Sequence, residues 1–126
     1  MPRIISFSMT TDQIRAKTKT VTRRLGWLNL KPGEILQAVE KAQGLKKGER
    51  MKKIGLIRVV DVRREPLLKL LLECPSYGGA PGYGEEEMIL EGFPGRDPND
   101  FVDFFLRGHD HNYTEEDITR IQFEYL

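Results

Sequence analysis

At 126 residues, 39% of them hydrophobic and 31% charged, the chain has the size of one domain and the balance of a water-soluble globular protein. No apolar run approaches the roughly 20 residues that cross a bilayer, and the first residues are too short and mixed for a secretion signal; one cysteine, Cys74, excludes an internal disulfide and makes a reducing cytoplasm the expected compartment. The net charge of +1 conceals 17 Lys/Arg against 6 Asp/Glu in residues 1–69, and 3 against 13 in residues 70–126: either a basic face meets a polyanion such as nucleic acid, or the halves neutralise each other across the fold.

Ile4–Phe7 predicts a short first strand. Thr10 with Gln13 forms a capping-box pattern and predicts a helix from about Thr11 to Lys17, with Ile14 as its one sizeable apolar residue. The following stretch, Lys17-Thr18-Lys19-Thr20-Val21-Thr22-Arg23-Arg24, is too rich in cations and threonines for a plain loop and too polar for a buried strand. Extended from Thr20, it sets Val21 on one face and Thr20, Thr22 and Arg24 on the other, with Lys19 at the entrance. Such a row suits a phosphate, a carboxylate or a polar base edge.

Residues 25–30 read as an apolar connector, Lys31-Pro32-Gly33-Glu34 as a turn, and Ile35–Glu40 as a strand. From Lys41 to Lys53 the pattern becomes a basic hairpin loop in which Lys41, Lys46, Lys47, Arg50, Lys52 and Lys53 face Glu49 alone. These six are candidate nucleic-acid-binding residues; a solvated loop is the plain alternative. Ile54–Arg64 is the strongest strand signal, and its apolar residues on both faces around Val59-Val60 predict a bulge or a barrel strand that Pro66 closes. Leu67–Leu72 fits a short helix or a buried connector, and Pro75–Gly84 a long glycine-rich loop, either a lid or a mobile segment.

Glu85–Glu91 predicts a helix opened by acids and closed by Gly92. Asp97 caps a second helix, with Pro98 at its first position, through about Leu106. Ile118–Leu126 alternates as a terminal strand, with Thr119, Ile121, Phe123 and Tyr125 inward and Arg120, Gln122 and Glu124 outward. The expected fold is α+β: one domain over residues 1–126, a small mixed β-barrel with flanking short helices.

A threonine hydroxyl needs a base, and a lysine is a base only when its pKa falls from about 10.4 toward about 7–8. Neighbouring Lys17, Arg23 and Arg24, with partial burial, push Lys19 that way. A carboxylate can then orient the pair or carry the proton, and Glu91 at a helix end is positioned in the sequence for that role. Lys19, Thr22 and Glu91 are the candidate catalytic set; Lys17, Thr20, Arg23 and Arg24 are candidate ligand-binding residues. His109-Asp110-His111 lacks a second ligand pair, so no metal and no cofactor is expected. Trp27 fits a core position better than a base stack, and Tyr77 and Tyr83 flank the glycine loop, free to stack a base or to decorate a lid.

The run Ala16–Arg24, the Leu30-Lys31-Pro32-Gly33-Glu34 turn, Leu90-Glu91-Gly92-Phe93 and the terminal strand together resemble the ASCH domain family of the PUA-like superfamily, and the arrangement is similar to small ASCH proteins of bacteria and bacteriophages. The resemblance spans nearly the whole chain except residues 41–53 and 75–84. It implies a PUA-like barrel with a cleft lined by the Lys/Thr segment. It also implies two kinds of function: an amidohydrolase that removes the acetyl group of N(4)-acetylcytidine with Lys19, Thr22 and Glu91 as the reacting groups, or RNA binding, in some members with ribonuclease activity. Lys17 stands where the family carries glycine. The implied partner is RNA or a modified nucleoside, with DNA as an alternative, and no membrane.

Overall fold

Alternation, turn chemistry and helix caps divide the chain into nine elements among the residues that the computed structural model describes, namely 3–7, 9–41, 46–67, 69–72, 83–107 and 117–126. In order they are β1 (Arg3–Ser6), α1 (Thr11–Arg15), β2 (Val21–Arg24), β3 (Ile35–Val39), β4 (Lys53–Pro66), α2 (Lys69–Leu72), α3 (Tyr83–Glu91), α4 (Pro98–Arg107) and β5 (Asp117–Tyr125). Cys74, Tyr77, His109–His111, residues 42–45 of the basic loop and residues 75–82 of the glycine loop lie outside the described residues. No helix among the described residues is long and apolar enough to cross a membrane.

One mixed sheet, ordered β1-β3-β4-β5-β2, holds the α+β fold together and curls into a half-barrel. β1 pairs with β3 in parallel, and the other neighbours are antiparallel. The 14-residue β4 serves both sides: its first half carries β3, its second half β5. The ladder to β5 shifts register between Val59 and Asp61, so the expected bulge falls on Val60, which is exposed. A bulge adds twist, and twist lets one long strand turn the corner of a curled sheet. Closure stops short of a full barrel: the edges β1 and β2, four residues each, do not pair with each other. One side chain spans the gap, the Arg24 guanidinium donating to the Ser6 carbonyl oxygen.

Two cores follow. Ile5, Phe7, Leu36, Ala38, Ile57, Ile121 and Phe123 fill the half-barrel. Leu67, Leu70, Met88, Phe101, Val102, Phe105 and Ile118 join the helices to the sheet's other face. β5 is therefore covered on both sides at Ile118–Ile121, while Glu124 is exposed as expected, and one expectation is corrected. Arg120, expected to point into solvent, is 5% exposed because α3 covers that face. Two smaller differences concern α1. It ends at Arg15, and its N-cap Thr10 makes no side-chain cap bond, while the Thr11 hydroxyl donates to the Phe7 carbonyl at 2.7 Å.

Candidate functional site

The site grows from the inner face of α3. Gly84, Glu87, Met88 and Glu91 recur at helical spacing and are the buried residues of that helix. Gly84 lets α3 approach α2, since a Cβ there would sit 2.1 Å from the Leu70 carbonyl oxygen. At the other end the helix closes in a Schellman motif: Phe93 N donates to Met88 O at 2.8 Å and Gly92 N to Ile89 O at 3.1 Å, with Gly92 at φ +96°. Gly92 also packs on Gln13 and Lys19, leaving no room for a Cβ. This close approach brings the helix end onto the entrance of β2.

The free carbonyls of that helix end are taken up by the Lys/Thr segment. Thr20 N donates to Leu90 O at 2.8 Å, and Lys19 Nζ donates to Glu91 O at 3.0 Å and to Glu91 Oε2 at 2.6 Å. Lys19 and Glu91 are almost wholly buried, at 3% and 2%. The other Glu91 oxygen accepts from Arg23 Nη1 at 3.1 Å.

Arg23 lies directly across from Arg120 in the β2–β5 ladder. Two cations so paired repel unless a carboxylate sits between them. Glu87 does so, 2.5 Å from Arg23 Nη2 and 2.5 Å from Arg120 Nε. Glu65 of β4 adds a third carboxylate at 2.7 Å from Arg23 Nη2, and the Tyr83 hydroxyl donates to Glu65 at 2.7 Å. Lys19, Arg23 and Glu91 thus end a continuous layer of buried charge between the sheet and α3.

Above this layer lies a cavity of about 470 Å³, lined on its polar side by Lys19, Thr22, Arg23, Arg24 and Glu91. Its apolar side comes from Phe7 and Trp27 of the sheet side and from Phe93, Phe101, Phe104 and Phe105 around α4. Small-molecule sites occupy about 300–1,000 Å³ and combine apolar walls with a few convergent polar groups, and this cavity has both features.

Burial lowers the pKa of Lys19, with Glu91 opposing the shift and Arg24 and Arg23 reinforcing it. Arg24 is pushed down to about 10 by burial, offset in part by Glu91. Its guanidinium lies 4.9 Å from the centre of the Phe7 ring. Burial pulls Arg23 and Arg120 down as well, but the carboxylates around them win and both are raised. Glu87 is lowered: burial raises it, and hydrogen bonds and charge from Arg120 and Arg23 outweigh that.

The structure therefore brings Lys19, Thr22 and Glu91 to one cavity and places Arg23 and Arg24 beside them. Two expected ligand residues are placed elsewhere. Lys17 is exposed and lines a second hollow with Arg15 and Tyr125, because φ +60° at Lys17 turns the chain before Lys19 enters the site. Thr20 is half-buried, its backbone held by Leu90 O and Phe123 N, and it is not among the cavity-lining residues. Of the basic loop, Lys46, Lys47, Arg50, Lys52 and Lys53 are exposed, whereas Lys41 is half-buried and 3.4 Å from Glu49. Glu87, Glu65, Arg120 and the phenylalanines around α4 were not singled out from the sequence. The spacing of Gly84, Glu87, Met88 and Glu91 was the available signal for Glu87.

No protein-family model matches the chain, and no curated protein matches it. Among solved structures it is similar to the crystal structure of hypothetical protein PH0355, at 16% identity and a TM-score of 0.65, with all of each chain covered. At that identity the likeness extends over the whole fold, and to the fold alone.

Proposed function

We propose that the chain is an ASCH-type domain with a PUA-like fold whose cavity takes an N-acylated cytosine nucleoside and hydrolyses its amide. The observation that carries this reading is the buried Lys19–Glu91 pair at 2.6 Å in the wall of a cavity that Thr22 also lines. The aromatic side of the cavity offers stacking surface for a flat base, and the polar side offers the reacting groups.

In this mechanism neutral Lys19 accepts the Thr22 hydroxyl proton as the Thr22 oxygen attacks the acyl carbonyl. Collapse of the tetrahedral adduct breaks the carbon–nitrogen bond, and Lys19 returns the proton to the departing cytosine amine. A water molecule then adds to the Thr22 ester, Lys19 accepting its proton, and collapse of this second adduct breaks the bond to the Thr22 oxygen, which takes the proton back from Lys19 as the acid is released. Glu91 holds Lys19 in place, and Arg24, a half-buried cation at the cavity wall, stabilises the developing oxyanion. Burial supports the base role because it lowers the Lys19 pKa.

The test is incubation with N(4)-acetylcytidine and measurement of released cytidine. Turnover should fall by about 100-fold or more in Lys19→Ala and in Thr22→Ala. Since the neutral lysine is the active form, kcat/KM should rise with pH through the lowered Lys19 pKa and level off before the ordinary lysine range. No turnover by the unaltered protein, or equal turnover by Lys19→Ala, removes the reading. A second reading rests on the five exposed cations Lys46, Lys47, Arg50, Lys52 and Lys53: a module that follows an RNA backbone without chemistry in the cavity.

A further inference from the structure

The buried layer has an unusual charge count. Its buried cations are Lys19, Arg23 and Arg120, with half-buried Arg24 beside Lys19 at the cavity wall, and its anions are Glu65, Glu87 and Glu91, all of them among the described residues. The three arginines keep their protons at neutral pH: Arg23 and Arg120 are raised by the carboxylates around them, and Arg24, pushed down by burial, still lies at about 10. Three arginines against three carboxylates already balance. Lys19 is the fourth cation, and it is the one whose proton can leave.

Arg23 decides this balance. It reaches all three carboxylates, at 2.7 Å to Glu65, 2.5 Å to Glu87 and 3.1 Å to Glu91, and its side chain is fully buried. Without Arg23, Glu91 would have Lys19 as its one hydrogen-bonded cation and would hold the lysine proton. With Arg23 on its other oxygen, Glu91 is already matched. We propose that Arg23 is the positioning residue for Lys19: by occupying one oxygen of Glu91 and binding Glu65 and Glu87, it leaves Lys19 as the surplus cation of the layer. Arg120 supports it from β5 by taking the second share of Glu87.

The other charges around the layer do not overturn the count. On β4, Arg63 lies 3.7 Å from Glu65, and Asp61 lies 4.0 Å from Arg120; both are about half exposed and opposite in sign. On α2, Lys69 sits over the ring of Tyr83, the residue at the opposite end of α3 from Glu91. On β5, the Tyr125 hydroxyl donates to the Lys19 carbonyl and is neutral, with its pKa pushed up to about 12 by burial.

As a statement about the base, this rests on the amidohydrolase reading, but its test does not need turnover. The Lys19 ammonium is titrated by NMR in the full-length protein, in Arg23→Met, in Arg23→Lys and in Glu87→Gln. Removing the Arg23 charge should raise the Lys19 midpoint by about one pH unit or more, and Arg23→Lys should bring it back. Glu87→Gln removes an anion and should lower the midpoint. A loosened, wetter site would instead raise Lys19 in both variants, so shifts of opposite sign are the electrostatic signature. Should Arg23→Met fail to fold, Glu87→Gln alone decides: a lowered midpoint supports the proposal, and an unmoved or raised one overturns it. If acetylcytidine is turned over but the Lys19 midpoint ignores these substitutions, the proposal fails and the amidohydrolase reading stands. If the midpoints shift as stated without turnover, the reverse holds.

Discussion

Lys17 is where the chain leaves α1, and it does so at φ +60°. Thr18 N donates to Gln13 O at 3.0 Å and Lys17 N to Ile14 O at 3.1 Å, the same pair of bonds that closes α3 around Gly92. Two helices thus end in one motif, one with a glycine at the left-handed position and one with a lysine. A residue with a Cβ loses about 1–2 kcal/mol in that conformation, and glycine gives back about 0.5–1 kcal/mol through its freer unfolded chain. Lys17→Gly should therefore stabilise the protein by about 0.5–1 kcal/mol, read as a higher urea midpoint with an unchanged slope. A lower midpoint would mean that the Lys17 side chain contributes more in its hollow than the turn loses. On the other side of the turn Lys19, Thr22 and Glu91 line one cavity, a proximity that their sequence context suggests. Lys17 and Thr20 do not line that cavity, and for Thr20 the reason is that strand alternation says which face a residue takes and nothing of where along the chain the cavity begins.

At the scale of elements, the inner face of α3 connects packing to chemistry. Gly84 lies against the Leu70 carbonyl of α2, and one and two turns later Met88 fills the helix core and Glu91 meets Lys19. Alanine at position 84 would favour the helix by about 1 kcal/mol, but its methyl group would stand 2.1 Å from a backbone oxygen that has no flexible side chain to move aside. Overpacking of this kind costs about 1–3 kcal/mol or more, so Gly84→Ala should be destabilising by about 1–2 kcal/mol net, measured as a lowered urea midpoint. A gain in stability would show that α2 and α3 can slide apart freely. Local signals located these elements well. The turn at Gly33, the bulge next to Val59, the Gly92 stop and the Asp97 cap with Pro98 are each written in a few adjacent residues. What covers a sheet face is a long-range fact, and that is why Arg120 was set in solvent while it lies under α3. The buried layer needed two periodicities read together, that of the helix with Glu87 and Glu91 and that of the strands with Arg23 and Arg120.

At the scale of the molecule, the charge split divides into two populations. Lys19 and Arg23, from the basic half, make ion pairs inside the fold with Glu87 and Glu91 of the acidic half. Lys46, Lys47, Arg50, Lys52 and Lys53 stay at the surface, on a loop whose described acid, Glu49, is 3.4 Å from Lys41. Pairing across the fold accounts for Lys19 and Arg23, and these five make none of those pairs. The loop leaves the sheet at Val39 and returns at Lys53, and Val39 is also the partner of Ser6 at the cavity wall. Each phosphate neutralised on a single strand contributes about −0.7 to the slope of log K against log salt, so five contacts would give a slope of up to about −3.5. Replacing Lys46, Lys47, Lys52 and Lys53 together by glutamine should flatten that slope by up to about 2.8 and weaken binding at low salt, while Lys41→Gln, paired in the free protein, should change it least. Fluorescence anisotropy with a short single-stranded RNA across a salt series provides the measurement. Binding that is absent at low salt, or a slope that survives the fourfold substitution, would return the loop to the plain role of a solvated hairpin and leave the cavity as the molecule's functional surface.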